Sequence, residues 1–126
     1  MTESKYGEVE FERRTFPRFV IHLPFRYQVD DHTRFGEGLT QDASRGGLQI
    51  YVSEKLDINQ RLSLSLSLSE GKSVRTIQAH ARVVWITENP PQAPKPFKAG
   101  LEFTDITPDS LEFLKWFEQL WLNQGS

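Results

Sequence analysis

With 126 residues and 15 Lys plus Arg against 17 Asp plus Glu, the chain has room for one hydrophobic core and carries a net charge near -2, which disfavours broad attraction to DNA, RNA or an anionic membrane and leaves any anion site local. It contains no cysteine, so disulfide scaffolds, thiolate metal sites and cysteine nucleophiles are excluded. The opening "MTESKYGEVEFERR" lacks the apolar stretch of a signal peptide, and no segment approaches the length of a membrane span, so a soluble, cytoplasmic protein with no membrane insertion is expected.

Residues 1–12 are polar, mixed in charge and without a period, the pattern of a mobile arm. The character changes after Pro17. "FVIHLPFRYQV" (19–29) is rich in β-branched and aromatic residues, with Pro24 requiring an edge, a bend or a bulge inside any strand there. "DDHTRFGEG" supplies turn chemistry, and "GLTQDASRGGLQIYV" reads as two strands joined through a small-residue turn. "LSLSLSLS" (62–69) alternates leucine with serine, the period of a strand with one buried face. "VRTIQAHARVVWI" (74–86) follows as a long strand or a bent pair. "NPPQAPKPF" is a stiff, extended connector, and "KAGLEFTDI" a last strand.

The chain ends differently. Thr107 is an N-cap candidate, Pro108 suits a first helical turn, and "DSLEFLKWFEQLWLNQ" carries apolar residues at 111, 113, 114, 116, 117, 120, 121 and 122, a helix of about four turns. Polar positions 112, 115 and 119 leave a narrow solvated stripe. The helix is therefore either sunk deeply against the core or packed also against a second copy or a partner, a homodimer among the options. The fold expected is mainly β: a small antiparallel barrel closed by a C-terminal helix.

Enzyme chemistry finds no assembled set. "GKS" (71–73) lacks the upstream glycine of a P-loop, where Leu66 stands, and "DASRG" (42–46) has Asp42 where a nucleophile elbow needs glycine. His22, His32 and His80 are too scattered for a metal site, and they read as strand residues (His22, His80) and a loop residue (His32). Trp85, Trp116 and Trp121 could stack on bases, but tryptophans in a strand and on an apolar helix face read first as core.

"RRTFPR" (13–18) puts three arginines beside a proline with no acid among them. Pro17 disfavours helix, so the segment is extended, and Arg14 and Arg18 then project from one side with Cα atoms at most roughly 13 Å apart. Guanidinium forks match phosphate oxygens and equally the O6 and N7 acceptors of guanine. A solvated basic stripe is the plain alternative. "DASRGG" weighs against it: Asp42 can accept from the N1–H and N2–H2 edge of guanine, Ser44 can reach phosphate, and Gly46 and Gly47 keep the turn low. A carboxylate beside a phosphate site suits a ligand that carries both anionic oxygens and N–H donors, and a guanine nucleotide does.

Arg14-x-x-x-Arg18 followed by Asp42-x-Ser44-x-x-Gly47 resembles the paired RxxxR and [D/N]xSxxG motifs of the PilZ family of bacterial cyclic di-GMP receptors, and "AGLEF" (99–103) resembles that family's last strand. The resemblance covers about residues 12–122. It implies a six-stranded β-barrel with a terminal helix, agreeing with the fold read from periodicity, and divides the chain into an arm (1–12) and a domain (13–123) made of a switch segment (13–18), barrel (19–106) and helix (108–122). It further implies that Arg14 and Arg18 wrap the ligand, Asp42 holds a guanine edge, Ser44 a phosphate and Gly47 the turn that lets the base approach, with no cofactor and no metal. Arg13, just ahead of the first motif, implies a stacked pair of ligand molecules. Arg45 is a further candidate contact, although an exposed turn arginine is the simpler reading, and Gly46 is a lesser one. Output would pass to an unidentified protein effector controlling motility, biofilm or exopolysaccharide. The rivals are a PilZ-like adaptor that binds protein and no nucleotide, and an OB-like barrel for single-stranded nucleic acid, which would need exposed aromatics in a basic groove.

Overall fold

The computed structural model describes residues 17–29, 34–70 and 72–125. The arm of residues 1–12, Arg13, Arg14 and His32 lie outside the described residues.

Seven strands and a helix follow in order: β1 (Phe19–Val20), β2 (Pro24–Val29), β3 (Phe35–Ser44), β4 (Gly47–Val52), β5 (Arg61–Glu70), β6 (Ser73–Glu88), β7 (Phe97–Ile106) and α1 (Pro108–Gly125). Every pairing is antiparallel, in the order β1-β3-β2-β5-β6-β7-β4, and β4 returns to pair with β3. β1 and β2 lie end to end along one edge of β3, opposite β4, so together they act as a single broken strand. The result is a closed six-stranded barrel with a C-terminal helix, as the sequence predicts.

The break falls where Pro24 requires it. Pro24 has no N–H for the ladder, and residues 21–23 leave the strand geometry. Thr40 of β3, only 1% exposed, repairs the gap. Its N–H donates to the Leu23 carbonyl at 2.8 Å, its Oγ1 accepts from the Leu23 N–H at 2.9 Å, and its hydroxyl donates to the Ile21 carbonyl. His22 therefore sits in this bend and not in a strand.

The serine–leucine alternation is architecture. Leu62, Leu64 and Leu66 are buried while Ser63, Ser65 and Ser67 face outward, each buried leucine contributing about 1.5–3 kcal/mol. β6 is one strand of 16 residues, bent at two register shifts, His80/Ala81 and Val83/Trp85. The proline-rich segment after it is compact instead of extended, because Asn89 ties its neck: the backbone N–H donates to Pro96 O at 2.8 Å and the side-chain amide to Lys95 O at 3.0 Å.

α1 starts as its cap predicts, with Thr107 Oγ1 accepting from the Ser110 N–H at 3.3 Å. At 18 residues it is longer than four turns. Buried Ser110, Phe113 and Leu114 face the barrel end, where the Gln78 N–H donates to Ser110 Oγ at 2.9 Å. The helix is not sunk: Trp116 is 43% exposed and Leu120 and Leu122 are exposed as well. Trp85 and Trp121 are half-buried, so none of the three tryptophans belongs to the fully buried core.

On the barrel reading, Leu64→Ala costs about 2–5 kcal/mol, whereas Ser65→Ala, one residue along and facing solvent, stays within about 0.5 kcal/mol; urea unfolding of the two variants checks the inward and outward assignment of β5.

Candidate functional site

β1 is only two residues long, and its register decides where the arginine segment lies. Phe19 pairs with Ala43 and Val20 with Asp42, so the chain entering β1 runs past the Ser44 end of β3. Phe19 is anchored in the core. Arg18, one residue earlier, therefore stands over the second motif, with Nη1 3.8 Å from Asp42 Oδ1. Of the three arginines of "RRTFPR", Arg18 is the one among the described residues.

Asp42 owes its position to a bulge. β3 shifts register against β4 between Thr40 and Asp42, leaving Gln41 as the extra residue. Inward Thr40 and Ala43 are buried, while Gln41, Asp42 and Ser44 are half-buried on the outside. Burial pushes the Asp42 carboxyl above its ordinary value of 3.8, and the neighbouring charges of Arg18 and Lys98 pull the other way. The side-chain oxygen of Gln41 is buried with no hydrogen-bond partner among the described residues. The site thus holds a desolvated carboxylate, an acceptor in want of N–H donors, directly after a residue whose own amide oxygen is buried and unpaired among the described residues.

The turn after Ser44 is drawn tight by its own serine. Ser44 Oγ accepts from the Gly46 N–H at 3.1 Å, which leaves the hydroxyl proton to be donated outward. Gly47 pairs with Ser44 on one side and Glu102 on the other. A Cβ there would lie 2.0 Å from the Leu101 carbonyl oxygen. The close approach of β7 is therefore sufficient reason for glycine at this position, independent of any ligand.

Arg45 departs from the sequence reading. It is not an exposed turn residue but is two-thirds buried, with Nε donating to Glu118 Oε1 of α1 at 2.7 Å and Nη2 to Oε2 at 3.4 Å. That hydrogen bond holds its guanidinium pKa above the ordinary value, against a smaller opposing effect of desolvation. Glu118 is 4% exposed.

Other residues join the face that sequence reasoning did not assign to it, Trp85 among them, which it read as core. Asp42 pairs with Gln49, Gln49 with Gly100, and Gly100 with Trp85, one rung crossing four strands. The five-membered ring of Trp85 occupies the space of a side chain at Gly100, where a Cβ would fall 2.2 Å from Nε1. Lys98, half-buried two residues before Gly100, adds a second positive charge near Asp42. Strand parity could have placed Lys98, Gly100 and Glu102 on one face, but only the register brings that face to Asp42. Glu118 had a sequence signal: it is a carboxylate on the same stripe as Ser110, Leu114 and Trp121.

The arrangement brings cations, a desolvated carboxylate and a hydroxyl-bearing turn together on one outer face of a closed barrel, and among the described residues no group of three or more acidic or histidine side chains could hold a metal ion. The chain belongs to the PilZ domain family, whose model matches residues 12–118. Among solved structures it is similar to the Bacillus subtilis inhibitor of motility (MotI/DgrA), at 24% identity and a TM-score of 0.73 over 88% of this chain and 52% of that one. It is also similar to the PilZ domain of YcgR from Escherichia coli, solved with c-di-GMP, at 12% identity and a TM-score of 0.70 over 90% of this chain and 94% of that one. A third is the PilZ domain of CeSA from a cellulose-synthesizing bacterium, at 16% identity and a TM-score of 0.54 over 87% and 99%. The chain spans about half the length of the motility inhibitor. No curated protein matches it. No helix among the described residues is long and apolar enough to cross a membrane.

The raised carboxyl of Asp42 has a consequence for stability. The folded chain keeps that proton to higher pH than the unfolded chain does, so the group stabilises the fold in acid, and this is lost as pH rises from 3.8 through the raised value. Asp42→Asn is therefore expected to raise the ligand-free melting temperature at pH 7, the gap closing as pH falls and Asp42 becomes neutral; thermal unfolding of both proteins across pH reads it directly.

Proposed function

We propose that this protein is a receptor for cyclic di-GMP that changes conformation on binding and signals in the cytoplasm through a protein partner. The observation that carries the reading is the convergence of Arg18 and the Asp42–Gly47 turn, with Arg18 Nη1 3.8 Å from Asp42 Oδ1. Membership of the PilZ domain family supports it, as does the likeness to a PilZ domain solved with c-di-GMP.

In this reading Asp42, Arg18 and Ser44 each meet a chemical complement. The Asp42 carboxylate accepts the N1–H and N2–H2 edge of a guanine, replacing a long ion pair with two charge-assisted hydrogen bonds. Arg18, released from that contact, turns to phosphate oxygens or the O6/N7 edge, joined by Arg14 from the preceding segment. Ser44 donates its hydroxyl proton to a phosphate oxygen. Lys98 balances ligand charge on the same face, and the Trp85 ring, seated over Gly100 on the same rung, offers a base an apolar plane. Arg13 adds a charge suited to a second, stacked ligand molecule. Binding and not catalysis is the activity, and no cofactor is required. Motility is the favoured output because the similar Bacillus protein is an inhibitor of motility; biofilm or exopolysaccharide control follows from the family resemblance.

Titration calorimetry with cyclic di-GMP and GTP tests the reading. The expected result is binding of the cyclic dinucleotide with one or two molecules per chain, and at least about 100-fold weaker binding by Arg14→Ala or Arg18→Ala, each removing charge-assisted hydrogen bonds of about 1.5–3 kcal/mol, while the ligand-free melting temperature holds. Absence of heat with the intact chain would sink the proposal and leave the adaptor that binds no nucleotide.

Asp42→Ala should weaken binding and narrow the preference for cyclic di-GMP over cyclic di-AMP, whose adenines offer no N1–H donor. If the variant rejects cyclic di-AMP as fully as the parent does, the role given to Asp42 is wrong.

A further inference from the structure

The two halves of the site each lean on the same helix. Arg45, between Ser44 and Gly46, holds Glu118 through two N–H donors, at 2.7 and 3.4 Å. Phe19, next to Arg18, stacks on Phe117 with ring centroids 5.1 Å apart and planes 25° from parallel. Phe117 and Glu118 are consecutive residues of α1. The segment carrying the first motif and the turn carrying the second are thus gripped by adjacent side chains of one element.

We propose that α1 is energetically linked to occupancy of the ligand site, with Glu118 as the positioning residue for the Ser44–Gly47 turn; this rests on the cyclic di-GMP reading above. Glu118 is almost wholly buried, and Arg45 is its ion-pair partner. If the turn or the helix moved away from the other, a carboxylate would be stranded without compensation. The turn and the helix therefore move together. Arg45 spends its Nε and Nη2 donors on this contact, so its part in binding is to hold the turn.

The aromatic contact works on the other half. β1 pairs with β3 over two residues only, too little ladder to hold itself, and Phe19 rests between the core and Phe117. A ligand that fixes Arg18 also fixes Phe19, and through it the seat of the helix. Linkage is reciprocal: whatever factor the docked helix adds to ligand affinity, the bound ligand adds to the docking of the helix.

Amide hydrogen exchange on the full chain, with and without cyclic di-GMP, tests this in wild type and in Glu118→Gln. Without ligand, Glu118→Gln is expected to speed exchange at residues 44–47 about tenfold while β5 amides are unchanged. With saturating ligand, α1 amides of the wild type slow by about tenfold and those of Glu118→Gln by less than twofold, and the affinity of the variant falls by the same factor as the lost protection. That equality is a readout that a merely structural role for Glu118 would not produce. Unchanged exchange at 44–47 in Glu118→Gln, or a wild type that binds ligand with no slowing in α1, overturns the proposal. A wild type that binds no cyclic di-GMP refutes the receptor reading instead, and the ligand-free comparison still decides whether turn and helix are joined. Should Glu118→Gln fail to fold, Phe117→Leu, which keeps an apolar side chain against Phe19, is expected to show the same loss of ligand-induced protection in α1; full protection in that variant counts against the link.

Discussion

Two rungs of antiparallel ladder, Phe19 with Ala43 and Val20 with Asp42, place Arg18 beside Asp42. Such a short strand cannot hold its own register; Phe19, buried in the core, holds it from one side, and Thr40 holds the chain just beyond through three hydrogen bonds to Ile21 and Leu23. The charged residue is placed by its apolar neighbour. Alternation along a strand forces this outcome: when Phe19 faces in, Arg18 and Val20 must face out. A core residue thus converts hydrophobic burial into the aim of a guanidinium one step away.

The same economy of construction appears in the buried polar groups. Thr40, Ser110 and Glu118 are the buried polar or charged side chains among the described residues, and each is hydrogen-bonded at a junction: the strand break, the docking of the helix on β6, and the helix against the Ser44–Gly47 turn. Burial makes an unpaired polar group costly, so each of these residues allows one arrangement of its junction and penalises the others. Asp42 is the contrary case. Its carboxyl is desolvated and faces Arg18 only at 3.8 Å, so the ligand-free fold carries an incompletely satisfied charge at the point where the family's second motif begins. On the proposed receptor reading, that incomplete satisfaction gives a donor-bearing ligand something to improve.

Charge at the level of the whole chain says little about this. The net charge near -2 coexists with a face where Arg18 and Lys98 both act on Asp42, while Arg45, Arg82 and Arg34 are engaged by Glu118, Glu102 and Glu54. Local pairing, more than total charge, sets which cations remain to meet a ligand.

Period and punctuation in the sequence already determined the elements. The alternation of leucine with serine, Pro24 inside a β-rich run, the small residues of "DASRGG" and the Thr107–Pro108 helix start each impose a backbone constraint that acts over a few residues, and the strands, the break, the turn and the cap stand where those constraints put them. The two motifs were legible for the same reason, since their chemistry lies in residue types at fixed spacing. What needed three dimensions was everything set by register and docking between distant segments. The rung from Asp42 to Trp85 exists because four strands align. Gly47 is demanded by the Leu101 carbonyl, and Arg45 is a strut because Glu118, 73 positions away, turns its carboxylate toward the barrel. A local pattern cannot encode which partner lies across an interface, because that depends on how the whole sheet twists and closes, and on which end of the barrel the helix covers.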